Sequence, residues 1–322
     1  MNTILITGAS GFVGRALWVA LRARGFKVRA AMRLHSAVEF PPAAAGAEVV
    51  RTGDIGPATD WTAALPGCEV VVHLAARVHV MRQSGSDARE AFFRTNVEGT
   101  EILGRAAARA GVRRFVFLSS AKVNGEVTRE RAYTESDPPA PADAYAASKA
   151  EAEERLKKIA GETGMEVVIL RPPLVYGPGV KANFLSLLRA VDAGLPLPLL
   201  SIDNRRSLVY VGNLVSAIEA MLTHPSAANR TFFVSDDHDV STTELIRCVA
   251  DALGKQPRLF SLPHWLLRGI GCLAGRGDRL ARLTESLQVD VSSVKFAIDW
   301  VPPFSLEQGL AQTVSWYRSL HR

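Results

Sequence analysis

Along the first half of the chain, apolar residues fall into short, nearly continuous runs. Longer stretches separate them, in which apolar residues recur every three or four positions. TILITG (Thr3–Gly8) is the first run, and FVGRALWVALRARG (Phe12–Gly25) is the first stretch with helical spacing, closed by a glycine. Further strands are predicted at KVRAAMR (Lys27–Arg33), EVVVHLA (Glu69–Ala75), RRFVFLSS (Arg113–Ser120) and MEVVILR (Met165–Arg171). Helices are predicted between them, from about residue 88 to 110 and over AYAASKAEAEERL (Ala144–Leu156). Strands that are apolar throughout are buried on both faces, so this alternation predicts an α/β fold with a doubly wound parallel sheet.

The pattern changes after Arg171. RPPLVYGPG is rich in proline and glycine and reads as a loop or crossing point. Beyond it the chain is helix-dominated, with short strands at SLVYV (Ser207–Val211) and TFFVS (Thr231–Ser235). The expected division is a sheet domain over residues 1–172 and, over 173–322, mainly a smaller C-terminal substrate-binding lobe. Part of that second segment is expected to return to the first domain. The cleft between the two is the expected ligand site.

Composition narrows the class. The chain has 322 residues, 48% hydrophobic and 22% charged, enough for a large core. Its net charge of +6 comes largely from dispersed arginines rather than a Lys/Arg block. That argues against a nucleic-acid partner and suits a small anionic substrate. Cys68, Cys248 and Cys272 are far apart and odd in number, so neither a disulfide framework nor a metal site is expected, and a reducing cytoplasm is the simplest location. No signal peptide is expected, since the first apolar run is short and lacks a preceding basic segment. LPHWLLRGIGCLAG (residues 262–275) contains Arg268 and is too short to span a bilayer. It reads as a packed or interfacial helix, with peripheral docking on a membrane as the alternative.

The first strand runs directly into TGASGFVGRAL. Gly8, Gly11 and Gly14, spaced G-x-x-G-x-x-G, sit between a strand and a helix. Glycines there permit a tight turn and close approach of a pyrophosphate, and the helix start supplies unpaired N–H groups. The segment is read as the dinucleotide cradle of a Rossmann-type domain, the alternative being a purely structural turn. An acid at the end of the second strand would accept the ribose hydroxyls of NAD. Arg33 stands there instead, and Arg15 follows the last glycine. Two guanidiniums suit a 2′-phosphate, which favours NADP(H), with NAD(H) the alternative. Asp54, in TGDI, is a candidate for the adenine side or a turn aspartate.

In AYAASK, Tyr145 and Lys149 are four residues apart and share one helical face. Taken alone, the pair reads as a half-buried tyrosine and a solvated lysine.

Taken in order, the motifs resemble the extended short-chain dehydrogenases/reductases, in particular those acting on nucleotide sugars. TGASGFVG resembles T-G-x-x-G-x-x-G, and HLAA (His73–Ala76) resembles the H-x-A-A segment below the nicotinamide. TNVEGT (Thr95–Thr100) resembles N-V-x-G-T, and FLSSAKVNGE (Phe117–Glu126) resembles the strand end bearing the catalytic serine. YAASK matches Y-x-x-x-K, LRPPLVYGPG resembles the loop after the sixth strand, and RRSLVYVGNL (Arg205–Leu214) resembles a phosphate-contacting segment. The resemblance implies Tyr145 as general acid/base and Lys149 as the charge that lowers its pKa and holds the nicotinamide ribose. It implies Ser120, rather than Ser119, as the hydroxyl on the reacting oxygen.

Cofactor contacts are implied for Gly8, Gly11, Phe12, Val13, Gly14 and Arg15 along the cradle, and for Arg33, Asp54 and Ile55 at the adenosine end. Leu74, Ala75, Ala76, Asn96, Tyr145, Lys149 and Pro172 are implied around the nicotinamide. Asn96 would also bond backbone and place the catalytic strand. Ser120, Asn183 and Arg206 are implied on the sugar nucleotide, with Lys181 and Arg205 as additions, and His73 is expected to be structural. A homodimer through helices flanking the sheet is the expected assembly.

Two departures refine this. Sugar-nucleotide 4,6-dehydratases carry an Asp-Glu pair where this chain has Ala121 and Lys122, and galactose epimerases usually show T-V-Y-G where it has KVNG, with Asn124. The combination is more similar to bacterial polysaccharide-pathway enzymes that reduce a UDP-4-keto-6-deoxy-N-acetylhexosamine. A UDP-hexose 4-epimerase is the alternative on the same scaffold. A non-catalytic cofactor-binding scaffold protein is the alternative of another class.

Overall fold

β1 (Thr3–Thr7) is an interior strand of a parallel sheet that sets the position of everything else. The computed structural model describes residues 3–33, 48–78, 86–263, 266 and 277–320. On one side β1 pairs with β2 (Lys27–Met32), which pairs with β3 (Glu48–Arg51). On the other it pairs with β4 (Cys68–His73), followed by β5 (Arg114–Leu118), β6 (Glu166–Arg171) and β9 (Arg230–Phe233). The order β3-β2-β1-β4-β5-β6-β9 reverses direction between β1 and β4. Ligands bind at such a switch point, outside the C-terminal strand ends.

Helices cover both faces. α1 (Phe12–Ala23) and α6 (Val211–Met221) pack together on one side, where Trp18, Leu21, Leu214 and Ile218 join a core with Ile4, Val72 and Val116. The other side carries α3 (Gly99–Arg109) and α4 (Ala144–Thr163), whose Leu103, Ala107, Ala152 and Leu156 bury Leu5, Val71, Phe115 and Phe117. Alternate residues of one strand thus feed two cores, as a sheet buried on both faces requires.

The smaller body has its own core. β7 (Leu174–Tyr176) pairs in parallel with β8 (Leu208–Tyr210). α5 (Ala182–Asp192), α7 (Thr242–Ala252), α8 (Gly277–Thr284) and α10 (Leu306–Ser319) gather around Phe184, Leu188, Ile246 and Leu310. The chain crosses back twice. β9 becomes the seventh strand, and α9 (Ser292–Ile298) packs on it, so Val294 and Ile298 belong to the core of the main sheet.

Several expectations shift. RPPLVYGPG is not wholly a loop, because β7 forms inside it. The helix predicted over residues 88–110 is α2 (Ser86–Phe93) and α3, joined by a π-helical turn at Arg94–Glu98. The helix begun at Ala144 runs to Thr163, where Gly164 closes it at a φ of 76°. Residues 262–275, read as an interfacial helix, lie outside the described residues apart from Leu262, Pro263 and Leu266. Among the described residues no helix is long and apolar enough to cross a membrane.

Candidate functional site

The turn after β1 is shaped by contacts that leave no room for side chains. Gly8 adopts a φ of 70°, and a Cβ there would stand 2.7 Å from the backbone nitrogen of Ala75. A Cβ on Gly14 would stand 2.1 Å from the carbonyl oxygen of Gly8. Gly11 is the N-cap of α1, no side chain caps that end, and the first turn holds no acid. The result is a close-set backbone wall beside a helix start whose N–H groups have no side-chain acceptor, the geometry that receives a pyrophosphate. The residues therefore fit a dinucleotide.

Phe12 and Val13 open α1 and pack against the core of the smaller body. Arg15 is exposed and donates its Nε–H to the Ser10 carbonyl at 3.1 Å. Arg33 follows β2, exposed, and its carbonyl accepts from Arg51 at 2.8 Å. Asp54 is exposed, and its carbonyl accepts from the Thr59 hydroxyl at 3.1 Å. Beside it, Ile55 packs tightly on Gly99, whose absent Cβ would lie 2.6 Å from its methyl.

The loop after β4 is stitched to both neighbours. The Leu74 and Ala75 nitrogens donate to Thr7, and Ala76 continues the same loop. Asn96, buried in the π-helical turn, accepts from the Arg77 nitrogen at 2.8 Å and donates to the Arg77 carbonyl at 3.0 Å and the Ser148 hydroxyl at 3.0 Å. Ser148 in turn donates to the Tyr145 carbonyl at 2.7 Å. Asn96 thus bonds backbone, as expected, but what it ties down is the β4 loop and α4 rather than a strand. His73 bonds Thr7 at 2.6 Å and Thr100 at 2.9 Å, and burial with the nearby Lys149 charge pushes its pKa down to about 3. It is a neutral ring held by two hydroxyls.

Tyr145 occupies the first turn of α4, with Asp143 as N-cap accepting from the Ala146 nitrogen at 2.7 Å. Its ring meets Phe92 edge-on at 6.2 Å. One turn later Lys149 is 1% exposed, and its ammonium lies over the Phe117 ring at 3.9 Å. Among the described residues none accepts a hydrogen bond from it. Burial pushes its pKa down to about 7 against the opposing pull of Glu153. The expected lowering of Tyr145 is not found. Burial, and then the Asp143 charge, push the phenol up to about 12.

The two serines after β5 are distinguished by what lies behind them. Ser119 is buried and donates to Glu153. Glu153 is also bound by Arg171, through Nε at 3.0 Å and a second, shorter contact. Arg171 reaches Asn124 at 2.9 Å, and Asn124 donates to the Asp137 carbonyl at 2.9 Å. All four side chains are at most 4% exposed. Ser119 is consumed by this network, and Asn124 is one of its members. Ser120 is only partly buried, and its hydroxyl accepts from the Lys122 nitrogen at 3.3 Å. Next to it the Pro172 carbonyl accepts from the Ala121 nitrogen at 2.9 Å, joining the end of β6 to the serine turn.

In the smaller body, Lys181 and Asn183 are exposed at the start of α5, which has no side-chain cap. Arg206 bridges Val240 and Leu287 through its backbone, and its guanidinium donates to the Glu285 carbonyl at 2.8 Å. Arg205 is exposed beside it.

Residues 4–234 match the NAD dependent epimerase/dehydratase family. A Vibrio cholerae protein named UDP-glucose 4-epimerase is 44% identical over 314 residues, covering 97% of this chain and 94% of that one. Among solved structures, a Thermotoga maritima UDP-glucose 4-epimerase with UDP-glucose superposes with a TM-score of 0.79 at 23% identity, over 99% of this chain and all of that one. MoeE5, in complex with UDP-glucose and NAD, gives 0.79 at 26% identity over the full length of both chains.

Proposed function

The chain belongs to the NAD dependent epimerase/dehydratase family, and we propose that it reduces the 4-keto group of a UDP-4-keto-6-deoxy-N-acetylhexosamine in polysaccharide biosynthesis. The family is one of enzymes, so the non-catalytic scaffold reading falls away. The observation that carries the proposal is Tyr145 and Lys149 on one face of α4, together with a Ser120 hydroxyl that stays available while Ser119 is bound to Glu153.

The turn formed by Gly8, Gly11 and Gly14 would hold a nicotinamide dinucleotide, which would supply the hydride. Tyr145, its proton affinity raised by burial, is in the acid form at neutral pH. That is the form needed to protonate O4 as the carbonyl is reduced. Ser120 holds O4 by a hydrogen bond. Lys149, a buried ammonium without an acceptor among the described residues, would be satisfied by ribose hydroxyls. The open start of α5, with Lys181 and Asn183, and the guanidinium of Arg206 face the diphosphate. UDP inhibition should accordingly weaken about tenfold or more in Arg206→Ala, and unchanged inhibition would remove Arg206 from the site. Dehydration is disfavoured, since Ala121 and Lys122 stand where an acid–base pair is needed.

The cofactor proposed is NADP(H), on the strength of exposed Arg33 and Arg15 at the adenosine end. NAD, named with MoeE5, is the alternative. Titrating both reduced cofactors against the parent and Arg33→Ala decides it. The mutation should cut the NADPH preference severalfold, and a parent that prefers NADH refutes the argument.

A second reading has its own support, the Vibrio relative named as an epimerase. Mixing the protein with a UDP-4-keto-6-deoxy-N-acetylhexosamine and NADPH separates the two. Stoichiometric loss of reduced cofactor with a 4-hydroxy product supports the reductase. Interconversion of UDP-glucose and UDP-galactose without added cofactor overturns it.

A further inference from the structure

Phe117 has no polar side-chain atom, yet the Lys149 ammonium rests on it, 3.9 Å from the ring centroid. Both side chains are at most 1% exposed. The place of the ring is set by the sheet. Thr7, His73, Phe117 and Ile169 are register partners, one rung across β1, β4, β5 and β6. The His73 ring lies beside Phe117 at 5.8 Å, nearly parallel at 17°. His73 is itself held by the hydroxyls of Thr7 at 2.6 Å and Thr100 at 2.9 Å. The ring that faces Lys149 is therefore fixed by its strand and braced from the neighbouring one.

We propose that Phe117 is a positioning residue for the dinucleotide: its ring face seats the Lys149 ammonium in the free protein and leaves the hydrogen-bond donors of that ammonium open to ribose hydroxyls. The inference rests on the cofactor contact proposed above and adds a residue to it. A π face suits this task because it attracts a cation through the ring quadrupole, without a lone pair that would claim an N–H. A carboxylate in the same place would hold the charge more strongly and would have to be displaced by the cofactor. The carboxylate one turn along α4, Glu153, is bound by Ser119 and Arg171. The other titratable group beside the ammonium, His73 on β4, is neutral.

Without the π face the side chain has two escapes. It can turn towards Glu153, or it can give up its proton, which its burial already favours. In either case cofactor binding must restore both the charge and its position, so affinity falls. Tyr145 and Ser120 keep their places, so turnover at saturating cofactor should change little.

The test weakens the ring face while nearly keeping its shape. Mono-, di- and pentafluorinated phenylalanine at position 117 draw electron density from the face in increasing measure. The Kd of the reduced dinucleotide, followed by its fluorescence, should rise in step along the series. At the pentafluoro end the rise should reach about fivefold or more, the equivalent of a cation–π contact of about 1 kcal/mol at tenfold per 1.4 kcal/mol. Phe117→Leu should weaken binding at least as much, with kcat at saturating cofactor within about twofold of the parent. A Kd that stays flat across the fluorinated series would overturn the inference, even if Phe117→Leu binds poorly, since packing alone would then explain the leucine variant. A second measurement needs neither cofactor nor substrate. The ε-methylene proton resonances of Lys149, identified by their loss in Lys149→Met, should be moved upfield by the ring and return to the ordinary lysine position in Phe117→Leu. Ordinary positions in the parent would also overturn the inference. A protein that binds the dinucleotide with this fluorine dependence but reduces no 4-keto sugar nucleotide would refute the proposed reaction and leave the role of Phe117 standing.

Discussion

Replacing Lys149 with methionine should make the cofactor-free protein more stable while abolishing its chemistry. The side chain is buried and its ammonium has no hydrogen-bond acceptor among the described residues, only the Phe117 face at 3.9 Å. Burial brings its pKa from the ordinary 10.5 to about 7. At about 1.4 kcal/mol for each tenfold change in proton affinity, folding with this group costs about 4–5 kcal/mol near neutral pH. Methionine forfeits a cation–π contact worth about 1 kcal/mol but keeps the packing on the ring. Allowing a similar amount for relaxation and water entry, the net gain is about 2–3 kcal/mol. With an unfolding entropy of about 2.1 cal/mol/K per residue over 322 residues, Tm rises by roughly 3–4 °C. The pH dependence gives an independent check. Between about pH 7 and 10.5 the unfolded lysine binds a proton that the folded one does not, so parent stability rises with pH across that window. The methionine variant lacks this rise. Thermal melts of both proteins at several pH values, with and without cofactor, test the reasoning, and cofactor should stabilise the parent more than the variant. A variant that melts at or below the parent, with the same pH slope, would show that the ammonium is already satisfied and refute the argument.

Tyr145→Phe should lower turnover by about 10²-fold or more while cofactor affinity, measured by titrating the reduced dinucleotide, changes little; activity within tenfold of the parent removes the phenol from the mechanism. Glu153→Gln leaves the Arg171 guanidinium without its buried charge partner and should cost about 3–5 kcal/mol, or roughly 4–7 °C in Tm. Because Glu153 also supports the Lys149 charge, the same change should shift the Lys149-dependent pH limb to lower pH; a melt within about a degree of the parent would mean the pair is dispensable.

What could be read from the sequence was local. Tyr145 and Lys149 could be placed on one helical face from their spacing of four, though their role came from the resemblance of the ordered motifs, and the glycine turn needed only its place between an apolar run and a helical one. The central strands declared themselves because a strand buried on both faces is apolar at every position. β3 did not, because Glu48–Arg51 sits at the sheet edge with most of its surface exposed. The π-helical turn was hidden too, since one extra residue per turn barely disturbs an apolar period over so short a span. Least legible was the network behind the site. Ser119, Glu153, Arg171 and Asn124 meet across separations of 34, 18 and 47 residues, which no local pattern reveals. The family resemblance could rank Ser120 over Ser119, but only the buried carboxylate explains why the first serine is unavailable. Asn124 likewise stood out as a departure from a motif, and its bonds to Arg171 and Asp137 give it a structural reason to be there.

Successive turns of α4 carry the site at positions 145, 149 and 153, with Asp143 at the cap. Charges alternate along this line and onto the elements it touches: Lys122 on Asp143, then Lys149, then Glu153 on Arg171. The two ends are closed by direct ion pairs. Lys149, in the middle, interacts with Glu153 only at long range and makes no hydrogen bond among the described residues. A fold that satisfies every other charge on the line, including a fully buried Glu–Arg pair, does not leave one ammonium unsatisfied for want of partners. Glu153 stands one turn away and is instead held by Arg171 and Ser119, which keeps Lys149 from collapsing onto it. If ribose hydroxyls of a bound cofactor reach Lys149, as proposed, they would recover the folding energy withheld there, and the arrangement that lowers the stability of the free protein would tie it to that cofactor.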